Sequence, residues 1–385
     1  MALDQETLNQ FVTTVQRYVN ERLRPIEGKV AEDDKIPEEI VQEMKDMGLF
    51  GLTIPEEYGG MGLNCEEEAH VIMAMGTTSP AFRSSFGTNV GIGSQGLVMD
   101  GTEEQKQQYL PGMATGEIIG SFCLTEPDAG SDAGSLKTSA RRDGDEFVLN
   151  GTKRYITNAP RASLFTVFAR TDADKPGARG VSAFLVDANL PGISLGRADK
   201  KMGQQGAHIC DVIFEDCRVP ASAILGGESM LNKGFTTSMK TLDRGRLHIA
   251  ALCTGTAERL IDDSLNYAME RKQFDQPISS FQLIQAMLAD SKTEAYASKC
   301  MVLDAAKRRD AGEKITTQAS CCKMYASEMV GRVADRAVQI FGGAGYLEEY
   351  GIERFYRDVR LFRIYEGTTQ VQQTVIAKNM IRDAS

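Results

Sequence analysis

The sequence predicts a three-part α+β chain: an N-terminal helical domain over residues 1–120, a middle β-barrel or β-sandwich domain over 121–230, and a C-terminal four-helix bundle over 231–385. Three observations predict it. Apolar residues recur at helical spacing in the first third, the period changes to that of short strands near Ser121, and proline almost vanishes beyond Pro220 while the apolar pattern lengthens.

Taken in order, Leu8, Phe11, Val12 and Val15 fall at i, i+3, i+4 and i+7 on one helical face, and Pro25, Pro37 and Pro55 mark breaks between helices. Phe147 to Leu149, Leu164 to Phe168, Val181 to Val186 and Asp211 to Phe214 are short β-branched or aromatic runs. Turn formers such as Asp143-Gly144-Asp145 and Asn150-Gly151 separate them, the pattern of an all-β unit of roughly one hundred residues. After Pro220 only Pro277 follows, and from about Gly234 the apolar periodicity is long enough for a bundle of long helices.

Composition narrows the function. A chain of 385 residues with 42% hydrophobic and 25% charged residues can bury a large core. Its 43 Lys and Arg against 53 Asp and Glu leave a net charge of -10, which argues against nucleic acid or anionic membrane as principal partner, since either needs a basic footprint. Residues 1–20 lack a signal-type apolar core and no run is long enough to span a bilayer, so the expected compartment is the bacterial cytoplasm, with a mitochondrial matrix as the alternative. Eight cysteines without C-x-x-C spacing suggest reduced thiols, and His70, His208 and His248 are too scattered for a metal site or a triad. The Gly91-Ile92-Gly93-Ser94-Gln95-Gly96 string is not read as a dinucleotide fingerprint, because no βαβ pattern surrounds it; close packing through small residues is expected instead.

The sharpest chemical signal is Glu366, a single acidic residue in the uncharged, glycine-containing part of Arg363 to Gln372, where the C-terminal helical pattern breaks. A carboxylate beside apolar neighbours loses hydration and becomes a better proton acceptor, and Gly367 lets a ligand approach the backbone. The loop Thr125-Glu126-Pro127-Asp128-Ala129-Gly130-Ser131 combines turn formers with backbone N–H groups and hydroxyls that can hydrogen-bond a polar or anionic ligand. Arg271 has the donor fork that pairs with phosphate. Asp243 and Arg246, three apart on a helix, form an ion-pair pattern whether or not they touch a ligand.

Six blocks, in order, resemble the acyl-CoA dehydrogenase family over nearly the whole chain: Phe122 to Ser131, Tyr155 to Ala159, Asp243 to Arg246, Arg271 to Phe274 with Gln282 and Gln285, Gln339 to Gly343, and the Glu366 segment. The resemblance implies bound FAD. Phe122, Leu124 and Thr125 would line the flavin, Gly130 and Ser131 would lie near the pyrophosphate and CoA, and Thr157 near flavin N5. Tyr155 stands where the family usually has tryptophan, which this chain lacks entirely, and Ile156 follows it. Arg271, Gln273, Phe274, Gln282 and Gln285 would reach FAD bound to a neighbouring chain, opposed by Gln339, Gly342 and Gly343, with Asp275 replacing a usual glycine in that turn. Thr368 and Gln370 join the cofactor contacts. Ser131, Asp243, Arg246 and Gly367 would meet the substrate.

By the same resemblance Glu366 takes the α proton of an acyl-CoA while the β hydrogen leaves as hydride, as in fatty-acid β-oxidation, in a homotetramer that reduces electron-transfer flavoprotein. The acyl group stays open. Arg83 falls where the glutaryl-CoA branch binds a distal carboxylate, yet Gly76 stands where that branch has glutamate, and His208 replaces a short polar residue. A dicarboxylyl-CoA, with or without decarboxylation, is therefore the alternative to a short, medium or branched monocarboxylyl-CoA. An acyl-CoA oxidase and a catalytically silent flavoprotein are the rivals from other classes.

Overall fold

A computed structural model describes residues 3–385, so Met1 and Ala2 of the expected first part lie outside the described residues. Helix α1 (Gln5–Tyr18) is capped by Asp4, which accepts from Thr7 N at 2.9 Å; Leu8 and Val15 are buried, and Phe11 and Val12 pack half-buried on the same core. The three prolines lie at helix junctions: Pro25 in a 3-10 turn before α2 (Glu27–Asp33), Pro37 at the start of α3 (Glu38–Asp46), and Pro55 before the 3-10 turn Glu56–Tyr58. Next come α4 (Cys65–Met75), α5 (Pro80–Val90), α6 (Gln95–Asp100) and α7 (Glu103–Thr115). Every residue of α5 is buried, Arg83 included.

The glycine string joins α5 to α6 by close packing. A Cβ on Gly93 would stand 2.7 Å from Thr88 O and 3.2 Å from Gly120, and Gly96 faces Thr237 and Thr241 of a later helix. No phosphate-binding βαβ turn exists there.

The middle part is one curled seven-stranded sheet. Its strands are β1 (Gly120–Cys123), β2 (Ser139–Asp143), β3 (Glu146–Thr157), β4 (Leu164–Arg170), β5 (Val181–Asp187), β6 (Ile193–Leu195) and β7 (Ile209–Pro220), in the order β1-β4-β2-β3-β7-β6, with β5 on the other edge of β4. Strands β1 and β2 run parallel to β4, and the other pairs are antiparallel. The four apolar runs lie inside β3, β4, β5 and β7. Asn150-Gly151, expected to be a turn, instead lies within β3 at a shift of register against β7. Gly151 has φ 145° and a Cβ there would meet Thr138 at 2.6 Å, so the glycine marks a bulge and not a strand end.

Strands β4 and β5 read as continuous apolar runs because both their faces are covered. Phe165, Val167, Phe184 and Val186 turn into the sheet's own core with Phe147, Val212 and Phe214, while Leu164, Phe168, Val181 and Leu185 pack on Leu97, Leu110 and Met113 of the N-terminal helices.

In the C-terminal part, α8 (Gly234–Glu270), α9 (Gln282–Asp310), α10 (Thr316–Phe341) and α12 (Thr369–Asp383) form the bundle, with α10 touching the other three. Helix α11 (Ile352–Val359) precedes the Glu366 turn. Strands β8 (Lys272–Gln273) and β9 (Gln276–Pro277) make a two-residue hairpin after α8, in which Phe274 and Asp275 both take positive φ, 51° and 61°. Asp275 thus adopts the left-handed geometry without glycine, as aspartate tolerates.

Candidate active site

A 3-10 turn (Arg360–Arg363) ends α11, and Glu366 and Gly367 then take left-handed backbone, φ 52° and 88°, before Thr368 caps α12 by accepting from Val371 N at 3.2 Å. A left-handed glutamate costs roughly 1–2 kcal/mol, so the turn needs anchors. Lys323 Nζ donates to Gly367 O at 2.6 Å, and Gln372 Nε2 donates to Glu366 O at 3.1 Å and Gly367 O at 3.0 Å. Both anchors are buried, and burial pushes the Lys323 ammonium down to about 8.

Held from behind, Glu366 projects onto α8 at Gly245. A Cβ on Gly245 would overlap Oε2 and stand 3.1 Å from Cδ, so only glycine leaves this space. Glu366 is half-buried as a residue, but its Oε2 is enclosed and has no hydrogen-bond partner. Burial raises the carboxyl pKa of Glu366, opposed by Arg83, Lys323 and Arg246 and reinforced by Glu68. The backbone N–H of Glu366 makes no hydrogen bond among the described residues. The turn therefore presents a basic carboxylate oxygen and a free donor.

Arg246 is buried, its Nη1 on Asp243 Oδ1 at 2.6 Å, and Asp243 Oδ2 accepts from Thr316 Oγ1 at 2.8 Å; this is not a solvated surface pair. Arg83 Nε donates to His248 Nε2 at 2.5 Å, and His248 Nδ1 meets Glu68 Oε1 at 2.7 Å. Gly76 cannot host a glutamate: a Cβ there would lie 2.6 Å from Leu252 O where α4 crosses α8. His208 is elsewhere, its Nε2 2.8 Å from Asp34 O, tying the sheet to α2.

The end of β3 closes the other side. Asn158 Nδ2 donates to Ser84 O at 2.8 Å and Thr88 Oγ1 at 3.0 Å, which seats Thr157 beside the turn of α5 that carries Arg83. Phe122 is half-buried against Phe168, ring centroids 4.7 Å apart. Leu124 is buried, Thr125 half-buried, and Gly130 and Ser131 are exposed. Tyr155 is 56% exposed at φ 58°, with the Arg154 guanidinium 5.0 Å from its ring centroid. The side chain of Ile156 faces the sheet core, leaving only its backbone for a ligand. Thr368 is half-buried and Gln370 is exposed.

The remaining predicted cofactor residues lie apart. Arg271, Gln273, Phe274, Gln282, Gln285, Gln339, Gly342 and Gly343 are exposed at one end of the bundle, where Ala268, Ile278 and Ile340 form a small core. At about 1.5 Å per residue, α8 separates Arg271 from Gly245 by roughly 39 Å. Arg271 and its neighbours therefore lie far from the Glu366 turn that packs on Gly245.

FAD fits both sets. Gly130, Gly342 and Gly343 have no atom within 4 Å of a built Cβ, and the Tyr155 and Phe274 rings stand open. Arg271 makes no side-chain hydrogen bond or ion pair among the described residues, as a phosphate ligand would require.

Comparison with known proteins gives the family. Residues 5–117, 121–217 and 232–381 match the N-terminal, middle and C-terminal domains of acyl-CoA dehydrogenase. This chain is a member of the acyl-CoA dehydrogenase family. It is 42% identical over 360 residues to the caffeyl-CoA reductase-Etf complex subunit CarC of Acetobacterium woodii, covering 92% of each chain. Butyryl-CoA dehydrogenase from Megasphaera elsdenii superposes with a TM-score of 0.93 at 33% identity, covering 97% of this chain and 98% of that one. PigA with FAD and proline superposes with a TM-score of 0.93 at 27% identity, covering 98% of each.

Within this acyl-CoA dehydrogenase, several residues near the site escaped sequence reading. Gly245 sat inside a recognised block without a role. Lys323 falls on the apolar helical face of Ala319, Cys322 and Ala326, a signal for a special lysine. Glu126 accepts from Lys137 N at 2.6 Å, Thr138 N at 2.8 Å and the buried Lys153 at 2.8 Å, pinning the predicted flavin loop. His248 and Glu68 lie 180 residues apart, and no local pattern joins them.

Proposed function

We propose that this enzyme, an oxidoreductase acting on acyl-CoA with FAD as cofactor, removes the α proton and a β hydrogen of the thioester to give a trans-2-enoyl-CoA, with Glu366 as base. The observation that carries this reading is the Glu366 carboxylate, desolvated, lodged on Gly245 and without a partner at Oε2. Its free backbone N–H is placed on the same residue as the base, and donates to the thioester oxygen as enolate charge develops. Bound FAD supplies the acceptor for the β hydrogen, which leaves as hydride. Arg246 and Asp243 line the acyl side, with Gly367 and Ser131 as further substrate contacts. Residues 122–131 and 155–157, with Thr368 and Gln370, hold the cofactor within the chain.

The roughly 39 Å along α8 favours a shared site, in which Arg271 and its neighbours serve the FAD of another copy. Exposed Phe274, Leu283 and Tyr296 on the bundle support a homotetramer. The acceptor of its electrons is electron-transfer flavoprotein, as the name of the Acetobacterium relative suggests. No helix among the described residues is long and apolar enough to cross a membrane, and a cytoplasmic site is proposed. That relative is named a reductase, and a glutamate with a raised pKa also serves the reverse reaction, returning its proton to an enoyl-CoA. Buried Arg83 favours an acyl tail carrying a carboxylate over a wholly apolar one.

Anaerobic titration with a panel of acyl-CoAs tests the reading. Bleaching of the bound flavin by at least one thioester, and its loss in Glu366→Gln with FAD retained, is expected. Bleaching undiminished in Glu366→Gln refutes Glu366 as the base, and no bleaching by any thioester refutes the dehydrogenase.

A further inference from the structure

Arg83 is a cation in a helix that is buried along its whole length, keeping 8% of its surface. Its Nε bond to His248 is its one side-chain hydrogen bond among the described residues, and it forms no ion pair there. Gly87, one turn on, makes the space: a Cβ at Gly87 would stand 2.7 Å from Arg83 Nε and 2.8 Å from Cζ, so the guanidinium lies back along α5. A guanidinium meant only to neutralise Glu366 would sit in ion-pair contact with it. This one does not, although its charge is felt there.

What fixes Arg83 is a relay of buried groups. To accept from Arg83, His248 Nε2 must carry no proton, which places the ring proton on Nδ1, donated to Glu68 Oε1 at 2.7 Å. Glu68 Oε2 is held by Arg244 Nε at 3.1 Å and Nη2 at 2.9 Å, and Arg244 Nη1 reaches Gln95 Oε1 at 3.1 Å. Burial and the Arg83 cation push His248 down to about 4, so the acceptor form persists at neutral pH. Burial alone would raise Glu68, but Arg244 and His248 outweigh it and hold it at about 2. Both Nη atoms of Arg83 remain uncommitted to any described group.

Resting on the dehydrogenation proposed above, we propose that His248, oriented by Glu68, is a positioning residue of the acyl pocket: it grips Arg83 by Nε and turns both Nη atoms toward a carboxylate on the acyl tail. A guanidinium pinned at Nε pairs with a carboxylate through its two remaining nitrogens. With position 76 sterically closed to any side chain, no carboxylate can reach Arg83 from there, and the imidazole of His248 does the orienting.

The test compares glutaryl-CoA with pentanoyl-CoA, equal in chain length and differing in the terminal carboxylate. KM and kcat are measured for the parent, His248→Leu, His248→Gln and Arg83→Lys. The parent is expected to favour glutaryl-CoA in kcat/KM. His248→Leu and Arg83→Lys each lower that preference by roughly tenfold or more, mainly through KM for glutaryl-CoA. His248→Gln restores most of it, since the amide oxygen accepts from Arg83 Nε. Should His248→Leu fail to fold, Arg83→Lys and His248→Gln carry the comparison. Equal losses on both thioesters would assign His248 to structure alone, and a parent that turns over pentanoyl-CoA but not glutaryl-CoA would remove the tail contact; either overturns the proposal while leaving dehydrogenation intact. Turnover of neither, nor of any other acyl-CoA, would overturn the dehydrogenation itself.

Discussion

Gly245→Ala isolates the position of the catalytic carboxylate from its chemistry. The new methyl would overlap Glu366 Oε2 and stand 3.1 Å from Cδ, whereas ordinary van der Waals contact begins at 3.4 Å. Helix α8 is rigid and packed on both sides of this point, so the side chain of Glu366 retreats and not the helix. Its oxygen moves by about 1 Å, a displacement that costs roughly 100-fold in rate when the geometry of proton transfer is at stake. Stability moves the other way: Gly245 lies inside α8 at ordinary helical φ, and alanine there is worth up to about 1 kcal/mol in helix propensity. The assay is stopped-flow reduction of the bound flavin under anaerobic conditions, with melting temperature and FAD content as controls. A reduction rate within about threefold of the parent, in a folded and FAD-loaded variant, refutes the claim that Gly245 sets the position of the base.

Buried charge governs three further outcomes. Burial lifts the Glu366 carboxyl above its ordinary 4.5, and the base works only when ionised, so kcat/KM falls as pH drops through that raised value and its acidic limb lies above 4.5; a limb at or below 4.5 contradicts the desolvated site. The folded state correspondingly favours the protonated form, a stabilising contribution present in acid and lost as pH rises through the folded pKa, so at neutral pH Glu366→Gln melts no lower than the parent. Lys153→Met leaves Glu126 without its buried cation and costs about 3 kcal/mol or more in denaturant unfolding, with weaker FAD retention because the loop from Leu124 to Thr138 loses its pin. Unchanged unfolding would show that the two backbone donors to Glu126 suffice.

Much of the architecture was legible because periodicity is a local signal. Leu8 through Val15 and the runs in β3, β4, β5 and β7 carry their element type within a few residues, and the proline positions mark junctions in the same way. Asn150-Gly151 misled because a strand bulge and a tight turn use the same residues; only the contact of Gly151 with Thr138, thirteen residues away, decides between them. Glu366 could be picked out as a lone carboxylate in an apolar stretch. Its environment could not, since Gly245, Arg83 and Lys323 come from three different helices and meet it only through the crossing of those helices. The buried imidazole of His248 was passed over because histidines were weighed as metal ligands or triad members, and its partners lie on α4 and α5.

The double covering of β4 and β5 has a consequence for how the chain reaches its native state. Leu164, Phe168, Val181 and Leu185 find their partners on helices synthesised before the sheet, and the first residue of α8 abuts Ser182 and Ala183 from a segment synthesised after it. An excised middle segment would present that apolar face to water and associate through it. The sheet is thus the keystone of one cooperative unit, and a lesion on its outer face far from any ligand would be felt first as loss of yield and solubility in the whole chain.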